Sequence, residues 1–216
     1  MPGLSTLLAV AGAGGLQNEN NKIKIIFKAN NTMILSDSEI LIQMAFDDIV
    51  IIPFNREQLG SNSYDVKLGK IIKQYYCTFV DEKGFYIDSR KENLIREFVI
   101  PDEGFILQPG KLYLAVTEEY TETHKCVPYL EGKSSLARLG ISIHQTAGKG
   151  DVGFCGYWTM EITVAIPVRV YAGMKIGQLI YNEVKGEVLT PYNLKKSAKY
   201  NNKEATPIES RNHENF

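Results

Sequence analysis

The stretch from Glu131 to Glu161 holds the densest polar chemistry in the chain. Its first part, Glu131-Gly132-Lys133-Ser134-Ser135-Leu136-Ala137-Arg138-Leu139-Gly140, sets one Lys, two Ser and one Arg within six positions. Adjacent hydroxyls and cations can meet a polyphosphate from several directions. The same residues also suit a capped surface turn with an ion-paired Arg, and composition does not separate the two. Next come Thr146-Ala147-Gly148, Gly150, Asp151 and Gly153. Glycines let backbone approach a ligand closely, and the Asp could accept a hydrogen bond from a sugar hydroxyl. Taken alone, Asp151 reads more simply as a turn residue. Glu161 closes the stretch. In Tyr157-Trp158-Thr159-Met160-Glu161-Ile162-Thr163-Val164 a period of two puts Glu161 on one face with Thr159 and Thr163. Trp158, Met160 and Ile162 face the other way. Partial desolvation would raise the pKa of Glu161 toward the range useful for proton transfer. Pattern alone favours a solvated, outward Glu.

Other motif matches fail on context. Gly132-Lys133-Ser134 resembles the end of a P-loop, but Val127 stands where its first Gly belongs. Gly148-Lys149-Gly150-Asp151-Val152-Gly153 spells GxGxxG, yet the residues after it read as a strand and not as the helix a pyrophosphate needs. A glycine loop between two strands is the better reading. Zinc-dependent deamination requires a Cys-x-x-Cys segment, which the chain lacks. His124 and Cys126 offer two metal ligands without a third at metal spacing. Ser134, His144 and Asp151 could supply a triad by type, but no nucleophile elbow surrounds the serine.

The elements that must position these residues are mostly strands. Runs at Tyr64–Leu68, Ile71–Phe79, Gly104–Leu107, Leu112–Thr117, Ile141–Gln145, Tyr157–Ala165, Val168–Tyr171 and Ile176–Tyr181 are separated by Gly- and Pro-bearing turns. Such punctuation predicts a β sandwich or barrel. Ile49–Ile52 reads as a further strand. Ser36-Asp37-Ser38-Glu39 is a capping box opening a helix of about ten residues, through Phe46. Glu92–Phe98 and Ser134–Leu139 suggest further helical turns. Residues 1–32 differ in composition and read as an extension; 33–187 form the β domain; the polar 188–216 form a tail.

Composition sets outer bounds. The chain has 216 residues, with 24 Lys and Arg against 25 Asp and Glu, a balance that disfavours a protein built to coat nucleic acid. No apolar run approaches the ~18 residues of a membrane span. Three widely spaced cysteines make no disulfide framework and fit a reducing, cytoplasmic setting.

Together these residues resemble the dCTP deaminase branch of the dUTPase-like superfamily, from about Met33 to Arg211. Ile34-Leu35-Ser36-Asp37, Ile52-Pro53-Phe54 and Gln58 through Gly69 are similar to its N-terminal signature. Gly132 through Gly140 resembles its most diagnostic motif. His144 through Gly148, Asp151 through Phe154, Trp158 through Glu161, Gly173 through Leu179, Pro191-Tyr192-Asn193 and Ala198-Lys199-Tyr200 continue the pattern in order. The resemblance implies a mainly β, distorted jelly-roll (β-clip) subunit in a homotrimer with sites between subunits. It implies zinc-independent conversion of dCTP and water to dUTP and ammonia, supplying dTTP synthesis. By motif match Glu161 is the general base and acid. Ser134 and Arg138 hold the attacking water and the base edge, and Ala147 offers a backbone contact beside that water. Lys133 and Ser135 grip phosphates together with Mg2+ carried by the triphosphate, and Leu136 and Ala137 belong to the same substrate-binding turn. Asp151 faces the 3′-hydroxyl. Thr159 and Met160 line the base pocket largely through backbone. Gln178, Tyr192 and Lys199 complete the triphosphate site, and Lys203 stands where the family tail carries Gln. The resemblance leaves open dTTP as an inhibitor. It also leaves open two other functions: a bifunctional enzyme releasing dUMP and pyrophosphate, and a catalytically silent nucleotide-binding regulator.

Overall fold

The computed structural model describes residues 17–19, 22–24, 33–76, 79–82 and 84–216. The chain divides into two units, 1–32 and 33–216. In the first, β1 (Gln17–Glu19) pairs antiparallel with β2 (Lys22–Lys24). The rest of the predicted extension lies outside the described residues.

In the second unit α1 (Asp37–Ala45) is opened by Ser36, whose hydroxyl accepts from the Glu39 N–H at 3.3 Å. Glu39 does not complete the capping box; its carboxylate accepts from Gln43 one turn on. The helix stops at Asp47, which has φ 56°. There Asp48 N–H donates to Gln43 C=O and Asp47 N–H to Met44 C=O, the two bonds of a Schellman ending. The strands that follow are β3 (Ile49–Ile52), β4 (Tyr64–Tyr75), β5 (Phe79–Asp81), β6 (Gly84–Tyr86), β7 (Ile95–Val99), β8 (Phe105–Leu107), β9 (Tyr113–Thr123) and β10 (Cys126–Gly132). Then come α2 (Ser134–Ala137), β11 (Ile141–Ser142), β12 (Cys155–Val164), β13 (Val168–Val170) and β14 (Lys175–Glu183).

An eight-stranded antiparallel sheet runs β10-β14-β4-β9-β12-β11, with β3 also on β9 and β7 also on β4. Neighbours in space are seldom neighbours in sequence, so the sheet wraps by crossovers in a mainly β, barrel-like fold. Its interior holds Tyr64, Val66, Leu68 and Ile72 of β4, Ala115 of β9, Met160 and Ile162 of β12, and Ile176, Leu179 and Tyr181 of β14, all fully buried. Each of the larger aliphatic side chains among them is worth ~1.5–3 kcal/mol of burial, less the entropy of ordering it. Among the described residues no helix is long and apolar enough to cross a membrane.

The sequence expectations differ from the structure at several places. The runs Tyr64–Leu68 and Ile71–Phe79, read as two strands, are one continuous strand, β4, that ends at Tyr75, and Phe79 opens β5. Residues 92–98 are not helical: Ile95–Val99 is β7, because β4 offers it a full register from Ile71 to Tyr75. Cys126–Gly132, not predicted, is a strand paired along its length with β14. The predicted strand Ile141–Gln145 shortens to β11, and the chain then turns into the glycine loop.

Candidate active site

β12 is the element that presents Glu161. Its side chains alternate strictly: Gly156, Trp158, Met160, Ile162 and Val164 are buried, while Tyr157, Thr159, Glu161 and Thr163 are half-buried on the other face. The apolar face anchors the strand in the core and so fixes the direction of Glu161. β9 holds it from one side, with Glu161 opposite Leu114 and Thr159 opposite Val116. Between Tyr157 and Thr159 the register shifts, because β9 carries extra residues there. The irregularity is closed by Thr117, whose hydroxyl oxygen accepts from Trp158 N–H at 3.1 Å, and by Thr121, which accepts from the Trp158 indole at 3.0 Å.

Glu161 opens on a cavity of about 510 Å³ that also borders Ala147, Asp151, Thr159 and Tyr192. Burial raises the pKa of its carboxyl above the ordinary carboxylate range; backbone N–H groups of Gln145 and Glu161 itself, and the charge of His144, oppose the shift. Gln145 also bridges to the same face, donating to the Thr163 hydroxyl at 3.0 Å. The glycine loop forms one wall. It is hydrogen-bonded to β10 through Leu130 N–H to Gly148 C=O and Gly150 N–H to Pro128 C=O, at 2.7 and 2.8 Å. Asp151 lies between Lys149 at 2.9 Å and Lys195 at 3.4 Å. The hydrogen bond from Lys149 is the main reason its pKa lies below the usual carboxylate range.

The tail builds a further wall. A Cβ on Gly156 would come within 2.5 Å of Asn202 C=O, and one on Gly153, at φ 88°, within 2.7 Å of Tyr192 N. Only glycine admits the tail this close. Tyr192 lines the cavity, and its hydroxyl oxygen accepts from Lys199 and Tyr200 N–H. Further along, Ile208 N–H donates to Thr159 Oγ1 at 3.0 Å, Ser210 N–H to the Tyr75 hydroxyl at 2.7 Å, and Lys73 Nζ to Glu209 at 2.8 Å. Tyr75, Ile208, Glu209 and Ser210 therefore border the cavity, although sequence reasoning did not name them as site residues. Nothing in their local pattern marks them, because the contacting residues lie far apart in sequence.

The remaining predicted residues stand elsewhere. Ser134, Ser135, Ala137 and Arg138 are exposed on the α2 turn, with Leu136 buried beneath them as its anchor. Lys133 Nζ is paired with Asp65, whose second oxygen meets Lys175 at 3.1 Å. Gln178 clamps the entry to the turn, donating to Gly132 C=O at 3.2 Å and accepting from the Ser63 hydroxyl at 3.0 Å. Among the described residues, Lys133 through Arg138 and Gln178 do not line the Glu161 cavity. Ala137 borders a separate hollow of about 380 Å³ with His144. The Met160 side chain is fully buried on the core face, so only its backbone is available to a ligand. Lys199 Nζ is engaged by Arg211 C=O and Asn215, and Lys203 is exposed.

Fold and site together define a mainly β, barrel-like scaffold with a half-buried carboxyl, its pKa raised by burial, in a tail-walled cavity. The family model for dCTP deaminase-like domains matches residues 34–184. The chain is 48% identical over 170 residues to a dUMP-forming dCTP deaminase of Clostridium acetobutylicum, covering 79% of this chain and 91% of that relative. It is 47% identical over 156 residues to the protein of the same name from Leptospira biflexa, covering 72% and 85%. The chain belongs to the dCTP deaminase-like family. Among solved structures it resembles the 2′-deoxycytidine 5′-triphosphate deaminase of Agrobacterium tumefaciens, with a TM-score of 0.56 at 23% identity. That likeness, a likeness of fold, covers 71% of this chain and 49% of the neighbour.

Proposed function

We propose that the protein hydrolyses the C4 amine of dCTP and then carries the uracil nucleotide on to dUMP and pyrophosphate. The observation that carries the first step is the half-buried Glu161 carboxyl, its pKa raised by burial, opening on the cavity. Glu161 takes a proton from a water beside Ala147, the hydroxide adds to C4, and the C4=N3 electron pair moves to N3, which takes that proton from Glu161. Glu161 then takes the proton of the new hydroxyl and passes it to the amine, so that the C–N bond breaks, C4=O forms and ammonia leaves. One carboxyl can take both parts when its pKa lies near the working pH, and such positioned transfer contributes ~10²–10⁴-fold.

The second step rests on the relatives. Proteins 45–48% identical to this chain share the name dUMP-forming, which favours cleavage to dUMP over the dUTP release expected first from sequence. In that step a water attacks the α-phosphorus and pyrophosphate leaves. Asp151, kept ionised by Lys149 and Lys195, is the acceptor available to the sugar 3′-hydroxyl or to that water.

The exposed Ser134, Ser135 and Arg138 do not border their own chain's Glu161 cavity, which supports a homotrimer in which a neighbour's turn completes the site. The tail, residues 188–216, then closes over the nucleotide. Mg2+ enters with the triphosphate and neutralises its charge. The turn suits such a complex, because Asp65, the carboxylate paired with Lys133, is already occupied by two ammonium groups.

The test is incubation with dCTP and Mg2+, resolving ammonia, dUTP, dUMP and pyrophosphate. Ammonia, dUMP and pyrophosphate in equal amounts are expected. Ammonia with accumulating dUTP would limit the enzyme to the first step, and tight binding without turnover would leave a nucleotide-binding regulator.

A further inference from the structure

Outside the Glu161 cavity, three ligand-type side chains converge where β9 ends and β12 begins. The sequence pairs His124 with Cys126, but Cys126 is buried in β10. The thiol that reaches His124 is Cys155, brought across the sheet because Cys155 registers opposite Glu122. The ligand atoms of Glu122, His124 and Cys155 all lie within 4.8 Å of one another. His124 Nε2 stands 2.9 Å from one Glu122 oxygen, and the Tyr120 hydroxyl donates to the other at 2.7 Å. One oxygen is thus oriented from behind while its mate faces the imidazole, the arrangement by which outer partners aim a metal ligand. The thiol donates weakly to the Gly153 carbonyl at 3.5 Å.

We propose that Glu122, His124 and Cys155 form a three-ligand site for a divalent ion of the zinc class, with the fourth position open to water. Thiolate and imidazole select a borderline ion over Mg2+. Tetrahedral binding with bonds of about 2.0–2.3 Å needs ligand atoms about 3.3–3.6 Å apart, within reach of small side-chain rotations from the present spacing. The ion replaces the thiol proton and the His124–Glu122 contact. None of the three residues borders the Glu161 cavity, so the ion is no participant at C4. It fastens β9 to β12 beneath the tail, where Cys155 N–H donates to Asn201 and Tyr157 N–H to Asn202 C=O.

The experiment titrates Co2+ into the full-length, nucleotide-free protein and reads the thiolate-to-cobalt absorption band. One Co2+ per chain, displaced by one equivalent of Zn2+ and not by excess Mg2+, is expected. Cys155→Ser abolishes the band. His124→Asn, at a partly exposed position, weakens binding and decides the matter if the serine variant fails to fold. Tyr120→Phe costs on the order of 10–100-fold in affinity, as the loss of an outer-shell contact does. A band that survives in Cys155→Ser, equal Co2+ affinity in His124→Asn, or binding only at millimolar Co2+ would overturn the site.

Discussion

Glu119 and Glu161 are two glutamates drawn out of water by neighbouring strands, and burial raises the pKa of both. They differ in what meets the carboxylate. Glu119, in the irregular part of β9, is 1% exposed and fully engaged. One oxygen accepts from Gln58 at 2.7 Å and the other from Lys67 N–H at 2.9 Å. Gln58 in turn donates to Asp65 C=O, so the carboxylate ties β9 to β4 just behind the Asp65–Lys133 pair. Glu161 has burial without that closure: its face opens on a cavity large enough for a ligand. A desolvated carboxyl whose acceptor sites are filled is a brace; one whose acceptor sites face a cavity can exchange protons with what enters it.

The contrast can be broken most sharply at Glu161. Glu161→Gln keeps shape and hydrogen bonding but cannot take a proton, so ammonia release from dCTP falls by on the order of 10²–10⁴-fold while nucleotide binding persists. Wild-type turnover in this variant would remove Glu161 from its role. The second effect is on stability. Glu119→Ala leaves the Lys67 N–H and part of Gln58 unsatisfied inside the protein, and denaturant titration should show a loss of about 2–4 kcal/mol. The folded fraction should keep its deaminase activity, since Glu119 does not border the cavity.

A third effect is smaller and depends on pH. The folded pKa of Glu161 lies above the unfolded value of about 4.3. The folded state therefore binds the proton more tightly, and the contribution of Glu161 to stability is full below pH ~4.3 and is lost as pH rises through its folded pKa. Glu161→Gln does not titrate, so its Tm should gain on the wild type across that window and hold the gain above it. A Tm difference independent of pH would mean the carboxyl is solvated. The smallest effect concerns the tail: Tyr75→Phe removes the bond to Ser210 N–H, worth about 0.5–1.5 kcal/mol. It should raise KM for dCTP more than it lowers kcat, because the cavity wall loosens while Glu161 stays in place.

Much of β12 is legible in the sequence. Alternation from Tyr157 to Val164 assigns Glu161, Thr159 and Thr163 to one face, and the burial of Met160 and Ile162 agrees. The sequence pattern alone favours a solvated Glu161, because the wall that desolvates it comes from elsewhere in the chain. The tail returns from position 208 to meet Thr159 and Tyr75, contacts spanning 49 and 135 residues that no local spacing encodes. Ile95–Val99 escaped for a related reason: its charged pattern is compatible with a helix, and only the available edge of β4 makes it a strand. Under the proposed homotrimer, the relation of the Ser134–Arg138 turn to the cavity lies between copies, beyond what one chain's pattern contains.

In the proposed trimer a carboxyl of one subunit works with the Ser-Ser-x-x-Arg turn of another. Glu161→Gln and Arg138→Ala subunits, each inactive alone, are to be unfolded together, refolded in equal amounts and assayed for ammonia release. In a randomly mixed trimer with sites shared between neighbours, about a quarter of the sites combine an intact Glu161 with an intact Arg138, so about a quarter of wild-type activity should return. If both residues serve the same chain's site, no mixture can restore an intact pair, and activity would stay at the level of the separate variants.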